Sequence, residues 1–86
     1  MSPDRRETFR VLHESGCFVM PNPWDLGTAR VLAQIGFPAI ATTSSGLAWS
    51  MGRQDNNVTL DETVRHLHAM AQSVDVPVNA DFTNGF

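Results

Sequence analysis

Three short apolar runs, each closed by residues that favour turns, constrain the fold of this chain more than any other feature. The runs cover residues 17–20, 39–42 and 76–80. They have the length of strands and are largely apolar rather than alternating, which is typical of parallel strands covered on both faces. The prolines of Pro21-Asn22-Pro23 cannot continue a sheet, so the first strand is expected to end there.

Segments with the apolar spacing of helices precede and separate these runs. A short amphipathic helix is predicted for residues 5–15, ending at Gly16. A second is predicted to begin after the N-cap Asp25 and to end at Gly36. The third begins at Thr59 and Glu62, which fit a capping box. Its predicted buried face consists of Leu60, Val64, Leu67, Ala71 and Val74.

The predicted order α-β-α-β-α-β indicates an α/β fold with a parallel sheet. Right-handed crossovers place the carboxyl ends of all three strands, and the loops after them, on one side. This arrangement suits a (β/α)8 barrel or an open doubly wound sheet. The chain has no G-x-G-x-x-G after its first strand and no G-x-x-x-x-G-K-[ST], so nucleotide binding lacks its usual support.

Asp81 is the first candidate functional residue, because it directly follows the third strand. A carboxylate at the end of a buried strand is costly to place unless it binds a metal, pairs or accepts hydrogen bonds. The alternative is an ordinary residue of a strand-end turn. Residues 43–58 form the longest segment predicted to be irregular, and long loops in compact domains are more often functional than not. Asp55 in that segment is either a site residue or part of a solvated turn.

Composition excludes several classes of protein. An apolar fraction of 42%, a charged fraction of 17% and a net charge of −3 indicate a globular chain with no evident affinity for nucleic acid or anionic membranes. We expect a cytoplasmic protein, since no apolar run could span a bilayer and the N-terminus lacks a signal-peptide core.

The single cysteine, Cys17, excludes an internal disulfide and is expected to be a buried residue of the first strand. His66 and His68 do not share a helix face, so a metal-binding pair is not predicted.

Four segments of the chain carry distinctive motifs: PNPWD (21–25), ATTSSGLA (41–48), GRQD (52–55) and VNADFTNGF (78–86). Together and in this order they resemble the isocitrate lyase and phosphoenolpyruvate mutase superfamily, most closely its 2-methylisocitrate-lyase-like members. The resemblance implies the N-terminal βαβαβ portion of a (β/α)8 TIM barrel, preceded by a short helix. Residues 1–86 would then be a single partial domain holding the first three strands of the barrel.

The resemblance also implies an activity. Members of this superfamily bind Mg²⁺ and a 2-oxo acid or 2-hydroxy acid, and they cleave or form a C–C or P–C bond beside the oxo group by way of an enolate. The partners expected for this chain are therefore a small-molecule substrate and, at full length, further copies of itself in a homo-oligomer. Neither nucleic acid nor a membrane is expected as a partner.

Individual site residues follow from the resemblance by position. Asp81 resembles the main metal-site carboxylate, and Asp55 resembles the acidic residue that holds metal-bound water. Trp24 stands where an aromatic residue often lies against the substrate, although it could simply cover the end of a barrel. The segment that holds the substrate carboxylate corresponds to Ser45, Gly46 and Leu47.

Two departures from the superfamily pattern limit what the chain is expected to do. Thr83 occupies a position that is usually acidic. The lysine and cysteine loop that supplies the acid or base lies beyond the third strand, so the catalytic residues are unknown from this chain. Because three strands cannot close a barrel, we expect a fragment of a longer enzyme. The alternative is a truncated or degenerate noncatalytic product that retains half of the site.

Overall fold

The structure is a computed structural model that describes residues 4–86. Within this part of the chain the helices are α1 (Arg5–Leu12), α2 (Leu26–Ile35), α3 (Ser44–Ser50) and α4 (Leu60–Ser73). The strands are β1 (Ile40–Ala41) and β2 (Val78–Asn79). The predicted α/β class is confirmed at this level, as four helices around a short parallel sheet.

The two strands are parallel, with Ile40 opposite Val78 and Ala41 opposite Asn79. The amide of Ile40 donates to the Pro77 carbonyl at 3.0 Å, and the amide of Thr42 donates to the Asn79 carbonyl at 2.9 Å. Since both strands run in one direction, their carboxyl ends lie at the same edge of the sheet, as predicted. This edge carries the candidate site.

The predicted strand over residues 17–20 is wrong. The segment lies outside any strand, and the neighbouring Pro21 carbonyl accepts one hydrogen bond, from the Ala41 amide at 2.9 Å. Pro21 and Pro23 have no N–H to donate, so the ladder cannot be extended through them. The segment therefore flanks β1 without becoming a strand.

Burial along this segment also differs from the expectation. Cys17, predicted to be buried, is exposed, and Val19 is 66% exposed. Phe18 packs edge-on against His13 of the first helical region, with ring centroids 5.2 Å apart. These side chains meet α1 and solvent instead of the sheet, because no further layer of the described chain covers them.

The predicted helix boundaries hold best where a cap defines them. Asp25 Oδ1 accepts from the Thr28 amide at 2.8 Å, and Gly36 ends α2 in the left-handed conformation with φ of 117°. Both hydrogen bonds of the predicted capping box at Thr59 and Glu62 are present at the start of α4. By contrast, α1 ends at Leu12, three residues before the predicted end.

The segment 43–58, predicted to be irregular, contains α3. Its N-cap is Thr43, whose Oγ1 accepts from the Gly46 amide at 3.1 Å. Serine and glycine disfavour helix interiors, so the sequence pattern concealed the helix. The cap and the complete burial of Ala48 supply the stabilisation that intrinsic propensity lacks.

The predicted buried face of α4 is displaced around the helix. Val74 is buried as predicted, but Leu60 and Val64 are each 48% exposed. Thr63 and Met70, which were not predicted, are buried. Both faces satisfy the spacing of three and four residues, so the pattern alone could not choose between them. Packing against α2 decides which face of α4 is buried, because Met70 and Val74 join the core between the two helices.

One apolar core holds the elements together. It consists of Ala29, Ile40, Met70 and Val74, with Ala33, Val76 and Val78 packed against it. Helix α1 is attached to α4 by Arg5, whose Nη1 donates to the Ala71 carbonyl at 2.6 Å. In residues 4–86 no helix is long and apolar enough to cross a membrane.

Candidate functional site

Asp81 is held firmly at the carboxyl edge of the sheet. Its Oδ2 accepts from the Ser44 amide and its Oδ1 from the Thr83 amide, each at 3.1 Å. Its own amide donates to Thr42 Oγ1 at 2.8 Å, and Thr42 is 4% exposed. These bonds tie the ends of β1 and β2 together, so the position of the carboxylate is set by both strands.

The electrostatic state of Asp81 follows from the same contacts. The amide of Ser44 is the main cause that lowers the pKa of Asp81 below its ordinary value of 3.8, with a further contribution from Thr83 and an opposing one from desolvation. The carboxylate is therefore ionised at neutral pH. Each oxygen accepts one amide and retains lone pairs for a cation or another donor.

A cavity of about 200 Å³ lies beside this carboxylate. The residues that line it include Thr42, Leu47, His66, Asp81, Thr83 and Asn84. Hydroxyl, amide and carboxylate oxygens predominate among its polar groups. The lining is more apolar than polar by area, so the small volume and the few fixed polar groups are what favour a small ligand.

A second cavity, of about 490 Å³, lies across α3 from the first. Its lining includes Asn22, Trp24, Ser45, Gly46 and Trp49, and Thr43 contributes to both cavities. The structure therefore brings Trp24, Ser45 and Gly46 together, as the resemblance implies. Leu47 instead faces the Asp81 cavity, so the predicted substrate segment divides between the two.

Gly46 is packed too closely to carry a side chain. A Cβ at this position would lie 2.6 Å from Thr43 Cγ2 and 3.1 Å from Trp24 Cβ. The Gly46 amide donates to Thr43 Oγ1, and the Ser45 hydroxyl lies 3.3 Å from the same oxygen. Thr43 thus organises the polar groups that were predicted to hold a carboxylate.

Asp55 is not brought into the Asp81 cavity. It is exposed, and its Oδ1 accepts from the Asn56 amide at 2.9 Å. Asn56, with φ of 68°, lines the cavity in its place. Across residues 4–86, no three side chains of His, Cys, Asp or Glu are grouped so that they could hold a metal ion.

Three residues of the site were missed by reasoning from the sequence. Thr42 accepts from the Asp81 amide, Ser44 donates to the Asp81 carboxylate, and His66 lines the cavity from α4. The position of Thr42 and Ser44 directly after a strand was a usable signal. His66 had none, because its neighbours on the helix are charged or apolar without a distinctive spacing.

A parallel sheet whose carboxyl edge carries an ionised carboxylate beside a small cavity is typical of α/β proteins that bind ligands at the ends of their strands. The profile of the phosphoenolpyruvate phosphomutase family matches residues 9–86, and the chain belongs to this family. The predicted superfamily is thereby confirmed.

Two relatives illustrate the similarity in sequence. An uncharacterised protein of Mycobacterium tuberculosis is 34% identical over 80 residues, which cover 92% of this chain and 31% of that protein. The 2,3-dimethylmalate lyase of Eubacterium barkeri is 36% identical over 70 residues, which cover 79% of this chain and 24% of the lyase. The chain therefore spans a third or less of the length of these relatives.

Solved structures show the same relation. A Burkholderia cenocepacia J2315 protein assigned to the lyases and mutases superposes with a TM-score of 0.92 at 48% identity, over 95% of this chain and 30% of that one. A 2,3-dimethylmalate lyase, described as a phosphoenolpyruvate mutase/isocitrate lyase superfamily member, superposes with a TM-score of 0.77 at 28% identity, over 95% of this chain and 29% of that one. A phosphonopyruvate hydrolase, in complex with oxalate and Mg²⁺, superposes with a TM-score of 0.82 at 22% identity, over 93% of this chain and 28% of that one. At this level of identity the match is evidence for a shared fold alone.

Proposed function

We propose that the complete protein is a Mg²⁺-dependent lyase or mutase that cleaves or forms a C–C or P–C bond beside the oxo group of a small 2-oxo acid. Membership of the phosphoenolpyruvate phosphomutase family and similarity to a 2,3-dimethylmalate lyase support this class of activity. The observation that carries the proposal is the Asp81 carboxylate, which is ionised and held by two amides at the strand edge beside a small cavity.

The chemistry of the donor set fits Mg²⁺. This ion prefers oxygen ligands and keeps several waters, so one or two carboxylates together with a chelating oxo acid are sufficient. Asp81 would hold the ion directly. Asp55 lies outside the cavity in this structure, so a role through metal-bound water would require its loop to move toward Asp81. When bound, Mg²⁺ supplies positive charge that stabilises the negative charge developing on the oxo-acid oxygen.

The residues around α3 would bind and orient the substrate. The hydroxyl of Ser45 and the amide of Gly46 are assigned to the substrate carboxylate, with Trp24 against the substrate and Leu47 as an apolar wall. Since Ser45, Gly46 and Trp24 line the second cavity and Asp81 and Leu47 line the first, the substrate would have to reach both cavities past Thr43, which borders each. Because Thr43 Oγ1 already accepts from Gly46, the carboxylate would take that amide by displacing the Thr43 hydroxyl. A carboxylate oxygen of the substrate would then replace Thr43 Oγ1 as the acceptor of the Gly46 amide. Because a charged acceptor forms a stronger hydrogen bond than a hydroxyl, this exchange favours an anionic ligand over a neutral one.

We also propose that these residues form the first part of a (β/α)8 barrel. A TM-score of 0.92 over 30% of the Burkholderia cenocepacia chain supports this, as does the Pro21 carbonyl that bonds to β1 from the side opposite β2. The acid or base of the reaction would come from the part of the barrel that follows β2. The complete protein is expected to be a cytoplasmic homo-oligomer.

A noncatalytic binding protein is the second candidate. It is favoured by Thr83 in place of a second acidic residue, and by the lack of any three-residue metal-ligating group within residues 4–86. Such a protein would bind a 2-oxo acid weakly and would not turn it over. Activity of the complete protein distinguishes the two candidates.

The decisive variant is Asp81→Asn in the complete protein. The amide side chain keeps one oxygen that can accept from Ser44 or Thr83, but it loses the charge that binds Mg²⁺. We expect undetectable Mg²⁺ binding by calorimetry and roughly a thousandfold lower turnover of 2,3-dimethylmalate, 2-methylisocitrate or oxaloacetate as trial substrates.

The matched control is Asp61→Asn on the outer side of α4. Asp61 is exposed and pairs with Arg65 at 2.8 Å, so its loss should leave both Mg²⁺ affinity and turnover nearly unchanged. Thr83→Glu should strengthen Mg²⁺ binding, since it adds a carboxylate at the usually acidic position. Native Mg²⁺ affinity in Asp81→Asn would remove the basis of the proposal.

A further inference from the structure

His66 carries a buried nitrogen without a protein partner. The residue lies on α4 and lines the Asp81 cavity with its ring half-buried. Its Nε2 is inaccessible to solvent, and no group within residues 4–86 lies within hydrogen-bonding distance of it. A buried polar atom left unpaired is costly, and native structures contain few of them. The position therefore needs an explanation that apolar packing does not give.

The described chain offers His66 no partner in the cavity. The other polar residues of the lining are Asp81, whose two oxygens each accept an amide, together with Thr42, Thr43, Ser44, Asn56, Thr63, Thr83 and Asn84. None of them forms a hydrogen bond with Nε2. A ligand bound beside Asp81 would bring oxygen atoms into the space that His66 borders.

Thr83, Asn84 and Phe86 contribute to the lining of the cavity that His66 borders. Nε2 is inaccessible to solvent in this structure, so contact with a ligand in the cavity requires rotation of the imidazole.

We propose that His66 is a ligand-binding residue of the Asp81 cavity, whose Nε2–H donates a hydrogen bond to a carboxylate or oxo oxygen of the bound 2-oxo acid. This inference rests on the proposed function of the same cavity. It assigns to α4 a contact with the ligand, whereas every other predicted substrate contact comes from α3 or from Trp24.

The charge state of His66 agrees with this role. Burial lowers the pKa of His66 below its ordinary value of 6.5, so the imidazole is neutral at neutral pH. A neutral imidazole has one N–H donor and one acceptor nitrogen. Donation from Nε2 to an anionic oxygen leaves the other nitrogen as the acceptor and adds no second positive charge beside the cation held by Asp81.

The test measures binding of oxalate in the presence of Mg²⁺ to the complete protein. Oxalate is a suitable probe because its adjacent carboxylates imitate the carboxylate and oxo oxygens of a 2-oxo acid. His66→Leu is expected to weaken oxalate binding roughly tenfold, the loss of one hydrogen bond to a charged acceptor. His66→Gln places an N–H close to the position of Nε2 and should stay within about threefold of the native affinity.

Two controls separate ligand contact from a role in packing. His68→Leu, at an exposed position on the same helix, should leave oxalate affinity unchanged. In nitrogen-15 spectra of the histidine rings, addition of oxalate with Mg²⁺ should shift the His66 Nε2 resonance and leave that of His68 in place. His66→Leu should not lower the free energy of unfolding, because it removes an unpaired polar atom from a buried position.

The outcomes distinguish this inference from the proposed function. Native oxalate affinity in His66→Leu, together with abolished binding in Asp81→Asn, refutes the role of His66 and leaves the proposed function intact. Equal weakening in His66→Leu and His66→Gln, without any oxalate-dependent shift at the His66 ring, shows a packing role and also refutes it. Unchanged binding in Asp81→Asn overturns the proposed function and this inference with it.

Discussion

Gly46→Ala is expected to destabilise the protein, although alanine ordinarily stabilises a helix. Replacing glycine by alanine within a helix gains about 0.5–1 kcal/mol. At position 46, however, the new Cβ would lie 2.6 Å from Thr43 Cγ2 and 3.1 Å from Trp24 Cβ. Such contacts require the neighbours to move, so the sign of the effect depends on what their movement costs.

The magnitude follows from the contacts that are lost. Rotation of Thr43 away from the new methyl group removes the N-cap of α3, which costs about 1 kcal/mol. Crowding against Trp24 adds about 1–3 kcal/mol, the usual range for an overpacked position. After subtraction of the gain in helix propensity, we expect a net loss of about 1–3.5 kcal/mol in the free energy of unfolding.

Gly27→Ala is the matched control. Gly27 lies near the start of α2, and a Cβ there would meet only Asp25 Oδ1, at the ordinary contact distance of 3.9 Å. This variant should be neutral or gain up to about 1 kcal/mol. Urea denaturation of the complete protein, followed by circular dichroism, measures both variants under the same conditions.

A second variant identifies the clash as the cause. Thr43→Ser removes Cγ2 and keeps the capping oxygen, so it should recover about 1 kcal/mol in the Gly46→Ala background and cost little alone. If Gly46→Ala stabilised the protein as Gly27→Ala does, the close approach of Thr43 and Trp24 to Gly46 would be refuted.

Three further predictions concern the cap of α4 and the support of Asp81. Thr59→Ala removes the N-cap oxygen of α4 and should lower the free energy of unfolding by about 1 kcal/mol in urea denaturation. Hydrogen bonds, chiefly from Arg53, lower the pKa of Glu62 from 4.5 to about 2. The ionised Glu62 therefore stabilises the fold fully above the pKa of the unfolded state, and this stabilisation is lost as the pH falls through the pKa of the folded state. Glu62→Gln should make the urea midpoint of unfolding less dependent on pH in the acid range, and an unaltered dependence would contradict the assignment. Thr42→Val deletes the acceptor of the Asp81 amide, so it should lower the free energy of unfolding by about 1 kcal/mol and weaken Mg²⁺ binding in calorimetry. Thr42→Ser keeps the hydroxyl and should preserve both stability and Mg²⁺ affinity.

Local chemistry made several features predictable from the sequence. The caps at Asp25 and Thr59 and the stop at Gly36 depend on hydrogen bonds and φ angles within a few residues, so their sequence signals survive in the structure. The place of Asp81 was predictable for a related reason. The third strand is shorter than the predicted 76–80 and is not buried, with Val78 half-buried and Asn79 exposed, but a carboxylate two residues after its end still lies at the carboxyl edge of the sheet.

Tertiary structure decided the features that depend on distant neighbours. Residues 17–20 have the composition of a strand, but the amides of prolines 21 and 23 are missing where a ladder would continue, and one bond to Ala41 remains. The face of α4 that is buried was ambiguous in the pattern, and contact with α2 selected Met70 over Val64.

The candidate site likewise combines residues that the sequence identified with contacts that only the folded structure shows. The sequence by itself identified Asp81, Ser45 and Trp24 as candidates to carry the chemistry, since they stand in recognisable segments. Only the folded chain decided that the Ser44 amide holds the carboxylate and that Leu47 faces a different cavity from Ser45. It alone placed His66 beside Asp81. The physical reason is that these contacts join residues far apart in the chain, and their geometry is set by how α3 and α4 pack against the two strands.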